Sequence, residues 1–254
     1  PARFSDRIVD ALPVLRFGAQ ERALSEAFHD FKKALHKATA QASPSERAAA
    51  AFALEVLQKR LLSGPWAFGQ SWLTLLEGLK AQDAALGALG TVAKVRGIVQ
   101  DDTDDDAERD SRERQASRTS GAWLKKFKNV VASELAQVTS AVQALGVEAI
   151  APGLSEADRR SAVGNAATKV KADARFKALE TLIEEKKDER LVIFTEYLAT
   201  LDYLRARLIA RFGDGDWLRV LYGGMNDVER DGVKRAFNDP NSSARVLLAT
   251  DAAG

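Results

Sequence analysis

Three short apolar runs in the last third of the chain alternate with two helix-patterned segments, and this alternation limits the possible folds more than any other feature. The runs cover residues 191–194, 217–222 and 245–249. The intervening segments, 198–212 and 226–237, carry apolar residues at spacings of three and four. Strands joined through helices of this length make right-handed crossovers and pair in parallel. The sequence therefore predicts a parallel α/β sheet in this part of the chain.

The carboxyl ends of these runs carry polar residues and glycines. The first run, Leu191–Phe194, is continuously apolar, which is typical of a strand covered on both faces. It ends at Thr195 and Glu196, the second run ends at residues 222–224 (Tyr-Gly-Gly), and the third ends at residues 250–251 (Thr-Asp). Ligands of open parallel sheets bind beyond the carboxyl ends of the strands. We therefore expect a ligand site at this edge, where backbone amides and hydroxyls can meet phosphates.

Residues 1–170 are predicted to form a helical insertion or linker region. Apolar side chains recur at helical spacing over residues 21–40, and Ser43 with Glu46 has the spacing of a capping box that begins a second helix. Three tryptophans at helical spacing are expected in the core of this region: Trp66, Trp72 and Trp123.

Residues 101–118 interrupt the helical pattern. Seven Asp or Glu residues lie between positions 101 and 110, where Arg109 is the one basic residue, and the whole segment has no apolar residue larger than Ala. Such a segment buries too little apolar surface to offset the entropy lost on ordering. The sequence therefore predicts a solvated, disordered loop here, in preference to a functional acidic segment or a metal site.

Composition and missing motifs exclude several classes of function. The chain has 37 Lys or Arg against 36 Asp or Glu, so it lacks the positive charge of a nucleic-acid condenser. There is no cysteine, and His29 and His36 do not have the HExxH spacing, so no metal site is predicted. A GxSxG elbow and a GxxxxGK[ST] phosphate loop are also absent, so no catalytic residue is predicted. No apolar run approaches the roughly 20 residues of a membrane span, and we expect a cytoplasmic protein without membrane contact.

Three segments resemble the second RecA-like lobe of superfamily-two helicase-like ATPases. LVIFTEYLATLDYLRARL (191–208) is similar to motif IV, LYGGMNDVERDGVKRAF (221–237) to the glycine turn and Arg-containing helix that follow it, and ARVLLATDAAG (244–254) to the start of motif V. Among these ATPases the chain resembles the Swi/Snf type, and especially the bacterial RapA-like and DISARM-type phage-defence members. LQKRLLSGPWAFGQSWLTLLEGL (57–79) resembles a helical element that precedes the lobe in those members. The resemblance implies that residues 171–254 are a partial RecA-like second lobe.

The resemblance also implies cofactors, partners and site residues. In such enzymes two RecA-like lobes clamp ATP with Mg²⁺ and track along double-stranded DNA, and the first lobe carries the phosphate loop. ATP and Mg²⁺ would therefore belong to the intact enzyme, with none bound to this chain alone, and the first lobe of the same protein would be a partner. Residues 171–254 carry 14 Lys or Arg and 15 Asp or Glu, so backbone donors would position the DNA. Seven residues would lie at the DNA phosphates: Thr195, Glu196, Tyr197, Gly223, Gly224, Thr250 and Asp251.

Two functions of different classes fit these observations. The first is a fragment of a DNA-dependent ATPase or translocase, inactive alone, with second-lobe contacts to DNA phosphates. A chain that starts at Pro1 and stops in mid-motif favours such a fragment. The second is a non-catalytic helical interaction module with a degenerate α/β end, in which Thr195 and Thr250 simply end strands. A phosphate loop and a motif VI in the flanking gene sequence would favour the first.

Overall fold

The computed structural model describes residues 15–101 and 103–250, in which a helical part precedes an α/β part. The helices are α1 (Ala19–Thr39), α2 (Pro44–Ser63), α3 (Pro65–Lys80), α4 (Leu89–Gln100), α5 (Asp106–Leu124), α6 (Ala132–Ala144), α7 (Glu156–Ala167), α8 (Ala174–Glu185), α9 (Leu198–Phe212) and α10 (Asp227–Asn238). The strands are β1 (Leu191–Thr195), β2 (Leu218–Leu221) and β3 (Val246–Thr250). Within the described ranges, every helix is too short or too polar to cross a lipid bilayer.

An aromatic core holds the helical part together. As predicted, Ser43 begins α2, and its Oγ accepts a hydrogen bond from the Glu46 amide at 3.3 Å. Phe68 stacks on Trp72 with 5.9 Å between the ring centroids. The prediction that the three tryptophans lie in the core is confirmed, since each is at most 2% exposed: Trp66, Trp72 and Trp123.

The prediction of a disordered loop over residues 101–118 is wrong, because residues 106–118 lie within helix α5. Asp105 caps the helix, and its Oδ1 accepts hydrogen bonds from the amides two and three residues later at 2.8 and 3.1 Å. Arg112 and Glu108, one turn apart, form an ion pair at 2.7 Å. Cap and ion pair both favour the helix in a segment without large apolar residues.

Small residues allow α5 to pack against α3 at very short range. A Cβ on Gly121 would lie 1.9 Å from the backbone oxygen of Leu75, and a Cβ on Gly78 would lie 1.9 Å from that of Arg118. Backbone therefore packs against backbone, and this contact replaces the large apolar side chains whose absence predicted a loop. Four other small residues of α5 are also buried: Ala116, Ser117, Thr119 and Ser120.

The three strands form one parallel sheet in the order β1-β3-β2, as the alternating pattern predicts. Helices α8 and α9 cover one face, around Val246 and Leu248 of the central strand. Helix α10 covers the other face, where Val233 and Phe237 pack beside Leu247. The predicted fold class, a helical region followed by a partial RecA-like α/β lobe, is confirmed.

Among the residues that the structure describes, strand β1 is covered on one face only, so the prediction of two covered faces is wrong. Leu191 and Ile193 pack towards α8 and α9. Val192 and Phe194 point to the other face and are 45% and 65% exposed. The reason lies in the strand order: β1 is an edge strand, while α10 packs against β2 and β3.

Candidate functional site at the carboxyl edge of the sheet

The carboxyl ends of the strands meet at one edge, where the structure brings three of the predicted site residues together. Thr195 and Thr250 are register partners on β1 and β3. Gly223 follows the end of β2, and its amide lies 3.3 Å from the hydroxyl oxygen of Thr250. This edge therefore presents a backbone N–H and a hydroxyl side by side.

An acidic side chain from α5 lies directly in front of these two donors. Asp106 Oδ2 accepts a hydrogen bond from the Gly223 amide at 2.6 Å and another from the Thr250 hydroxyl at 2.5 Å. Arg109 Nη1 lies 3.4 Å from the other carboxylate oxygen. The side chain of Asp106 has no solvent exposure, and neither has Thr250. Hydrogen bonds to an ionised acceptor are roughly twice as strong as neutral ones, so the edge holds a buried anionic oxygen firmly.

Gly224 lets the loop after β2 pass close to α5. Its φ of 91° lies in the left-handed region that favours glycine. A Cβ at this position would lie 3.3 Å from Oδ1 of Asp105. The backbone of Gly224 therefore lies close to the Asp105 carboxylate, and its role at DNA phosphates stays a prediction.

A second acidic residue of α5 contacts the first turn of α9. Asp110 Oδ2 accepts a hydrogen bond from the Ala199 amide at 2.8 Å. Amides in the first turn of a helix have no intrahelical partner, and the helix dipole favours an anion there. Asp106 and Asp110 are four residues apart and so lie on one face of α5. Two carboxylates of that face thus bind two backbone N–H groups of the α/β part.

Arg60 of α2 provides a buried positive charge beside Asp110. Its guanidinium lies 3.7 Å from Oδ1 of Asp110 and 3.8 Å from Oε2 of Glu113. The guanidinium carbon is also 3.6 Å from the centroid of the Tyr197 ring, which is a cation–π contact. Arg60 therefore connects α2, α5 and the start of α9.

Burial raises the pKa of three carboxyl groups in this region. The pKa of Asp110 is raised above its ordinary 3.8 by burial, although the neighbouring Arg60 acts in the opposite direction. Burial raises the pKa of Glu113 in the same way, again against Arg60. Asp202, whose carboxylate lies 3.0 Å from Arg159, also has its pKa raised by burial. Burial therefore disfavours the ionised form of these three carboxyl groups.

A cavity of about 520 Å³ lies between the helical part and the carboxyl edge. Asp110 borders the cavity, whereas Asp106 and Thr250 are buried away from it. The cavity is bordered by residues of both parts, among them Arg60, Trp66, Arg114, Arg159, Ala199 and Gly224.

The remaining predicted site residues differ in accessibility. Thr195 is half-buried and Glu196 is exposed. Tyr197 is buried, with its ring against Arg60. Asp251 lies outside the described residues. The DNA-contact roles of these residues stay predictions.

Asp106 and Asp110, the side chains that contact the edge, are missing from the sequence prediction. Two signals could have identified them. Asp105 and Glu108 have the spacing of a helix cap, which places a helix start here. Once a helix is accepted, the four-residue spacing of Asp106 and Asp110 puts both carboxylates on one face.

ATP and Mg²⁺, which the resemblance implies for the intact enzyme, do not fit the residues present. The 254 residues contain no GxxxxGK[ST] phosphate loop. In residues 15–101 and 103–250, no three His, Asp or Glu side chains are grouped so that they could hold a metal ion. The residues described here therefore supply no recognisable site for Mg²⁺-ATP.

Comparison with known protein families identifies the α/β part. Residues 174–254 match the family profile described as the helicase conserved C-terminal domain. The match supports a helicase-like C-terminal lobe of the superfamily-two kind in this part of the chain, and it suggests a function associated with nucleic acid. The match favours the helicase hypothesis over the interaction module. No curated protein and no solved structure matches the chain.

Proposed function

We propose that residues 171–254 act as the second RecA-like lobe of a DNA-dependent ATPase, and that the carboxyl edge of the sheet binds phosphates of double-stranded DNA. One observation carries the proposal: the Gly223 amide and the Thr250 hydroxyl converge on a single anionic oxygen. Backbone amides and hydroxyls are common donors to phosphate oxygens in protein–DNA contacts. A phosphate oxygen would take the position that Asp106 Oδ2 has in the structure.

The charge balance of the lobe determines how strongly it would attract DNA at long range. Residues 171–254 carry 14 Lys or Arg and 15 Asp or Glu, so long-range attraction to DNA is weak. Binding would rest on the donors at the edge, with Thr195 and Glu196 beside them. The chain alone would hydrolyse no ATP, because the phosphate loop belongs to the first lobe of the intact protein.

As the finer assignment, we propose that the intact protein is a cytoplasmic ATPase of the Swi/Snf type. It is supported by the similarity of residues 57–79 to a helical element of RapA-like members. These residues include Trp66, whose ring stacks on Tyr203 of α9 at 5.1 Å between centroids. The helical element thus packs directly on the lobe, as expected of a part that belongs to the motor.

Charge reversal at the two ends of β1 tests the proposal. Glu196→Lys places a cation at the carboxyl edge, whereas Asp188→Lys makes the same charge change on exposed chain before the strand. Affinity for a fluorescein-labelled DNA duplex is measured by fluorescence anisotropy over a range of salt concentrations. We expect Glu196→Lys to tighten binding and to steepen the plot of log K against log salt by about 0.9 for each phosphate contacted. Equal effects of both substitutions would contradict a DNA site at the carboxyl edge.

A further inference from the structure

We propose that the N-terminal half of α5 is an internal competitor of DNA, in which Asp106 and Asp110 occupy the positions of phosphate oxygens until α5 moves away. The inference rests on the proposed function and specifies how its site is regulated. It predicts a chain that binds DNA weakly at rest and more tightly once α5 is released.

The first argument is the match between the carboxylates and the donors. Asp106 accepts hydrogen bonds from the Gly223 amide and the Thr250 hydroxyl. Asp110 accepts one from the Ala199 amide at the N-terminus of α9. A strand-end loop and a helix N-terminus are both places where proteins bind phosphate. An acidic helix that fills two such places leaves neither donor set free for DNA.

The second argument is that this half of α5 is held by the polar contacts of Asp106, Asp110 and Glu113 rather than by apolar packing. Ala107, Glu108 and Ser111 are exposed, so the first turns of α5 bury little apolar surface. A cavity of about 520 Å³ borders Ala107, Asp110 and Ser111 on this half of the helix. The C-terminal half is different, because Gly121 packs against the backbone of α3. Segments with few buried apolar contacts are the ones that open locally, so the N-terminal turns can leave while the rest of α5 stays.

The third argument concerns charge at the contact. Burial raises the pKa of Asp110, which means that its ionised form is held at an energetic disadvantage despite Arg60. Release of α5 would return this carboxylate to water. The burial cost of Asp110 therefore favours release of α5.

A pair of neighbouring substitutions tests the competition. Asp106→Asn keeps the shape of the side chain but removes the charge that holds the two donors. Asp104→Asn makes the same change of net charge at an exposed residue nearby. Because charged hydrogen bonds are about twice as strong as neutral ones, we expect Asp106→Asn to bind the duplex about five- to tenfold more tightly than Asp104→Asn. Equal affinities of the two variants would overturn the proposal that Asp106 competes with DNA phosphate.

The donor side of the contact provides a second arm. In the Asp106→Asn background, Thr250→Val removes the hydroxyl and should cancel most of the gain in affinity. Thr181→Val, at an exposed residue of α8, should leave the gain intact. If neither the wild type nor Asp106→Asn binds the duplex, the proposed function itself fails. If both bind equally and Thr250→Val weakens both, the function stands and the competition is wrong.

Hydrogen exchange of the wild-type chain keeps the test decisive even if Asp106→Asn fails to fold. Addition of the DNA duplex should speed exchange at residues 107–113 in the first turns of α5. Residues 116–122, which pack against α3, should keep their protection. Unchanged or increased protection of residues 107–113 in the DNA-bound chain would overturn the proposal.

Discussion

The carboxylate of Asp106 accepts a hydrogen bond from the hydroxyl of Thr250 at 2.5 Å across a separation of 144 residues. This bond joins the first turn of a helix in the helical part to the end of the central strand of the sheet. Both residues are buried, so the contact belongs to the interior of the molecule. The same hydroxyl is a predicted DNA contact, and the bond therefore relates the helical part to the function of the lobe.

Gly121 should be intolerant of any side chain. A Cβ at this position would lie 1.9 Å from the Leu75 backbone oxygen, so Gly121→Ala should force α3 and α5 apart. We expect it to lower the free energy of unfolding by about 3 kcal/mol. Gly97→Ala is the control, because nothing lies within 4 Å of its Cβ position in α4. Alanine there should raise the unfolding free energy by up to about 1 kcal/mol. Urea denaturation measures both, and equal effects would show that the close helix contact is absent in solution.

Arg60 should be essential for stability as the buried cation beside two carboxylates. Arg60→Ala leaves Asp110 and Glu113 without that charge, and loss of one partner of a buried ion pair costs about 3–5 kcal/mol. Lys59→Ala removes a positive charge from the neighbouring position, where the Lys59–Glu55 pair is solvent-exposed. This control should change the unfolding free energy by less than about 0.5 kcal/mol. A change of less than about 1 kcal/mol in the unfolding free energy of Arg60→Ala would contradict a buried ion-pair cluster around Arg60.

Asp110 should make stability fall as pH rises. Its pKa is raised in the folded chain, so between pH 3.8 and the raised value the unfolded chain loses its proton first. The folded state then binds more protons, and the free energy of unfolding decreases with increasing pH. Asp110→Asn removes this contribution. Its unfolding free energy should therefore fall less between about pH 4 and about pH 7 than that of the wild type, and an equal or steeper fall would contradict the assignment.

Adjacent residues of β1 should respond differently to the same kind of substitution. Ile193 packs towards α9, so Ile193→Thr should lower the free energy of unfolding by about 1–2 kcal/mol. Phe194 is 65% exposed, and Phe194→Thr should change it by less than about 0.5 kcal/mol. Thermal and urea denaturation can compare the two variants directly. The opposite order would mean that the exposed face of β1 is covered in solution.

The α/β part could be predicted well from sequence because its signals are local and agree with one another. Apolar runs indicated the three strands, and the helix pattern of residues 226–237 agrees with α10, where the Asn226 side chain accepts from the Glu229 amide at 2.9 Å. The exposed face of β1 could not be predicted in this way. Whether Phe194 is covered depends on the order of strands in space, which an apolar run does not encode.

Helix α5 and its role at the edge could not be predicted by counting apolar residues. Its stability comes from a cap at Asp105 and from backbone packing at Gly121, and short polar residues carry no large hydrophobic signal. The contact of Asp106 with Gly223 and Thr250 joins segments more than 100 residues apart. Such a pairing is a property of the folded chain, and single-sequence patterns contain no record of it.

The amide of Gly223 is the most direct reporter of the central claim, that the carboxyl edge binds DNA phosphate in the place of Asp106. Its hydrogen bond to the Asp106 carboxylate at 2.6 Å should shift the amide proton resonance strongly downfield in the free chain. Titration with a DNA duplex, followed in ¹H–¹⁵N correlation spectra, should move this resonance with the same dissociation constant that anisotropy gives. A Gly223 resonance that stays in place while the duplex binds would contradict the claim.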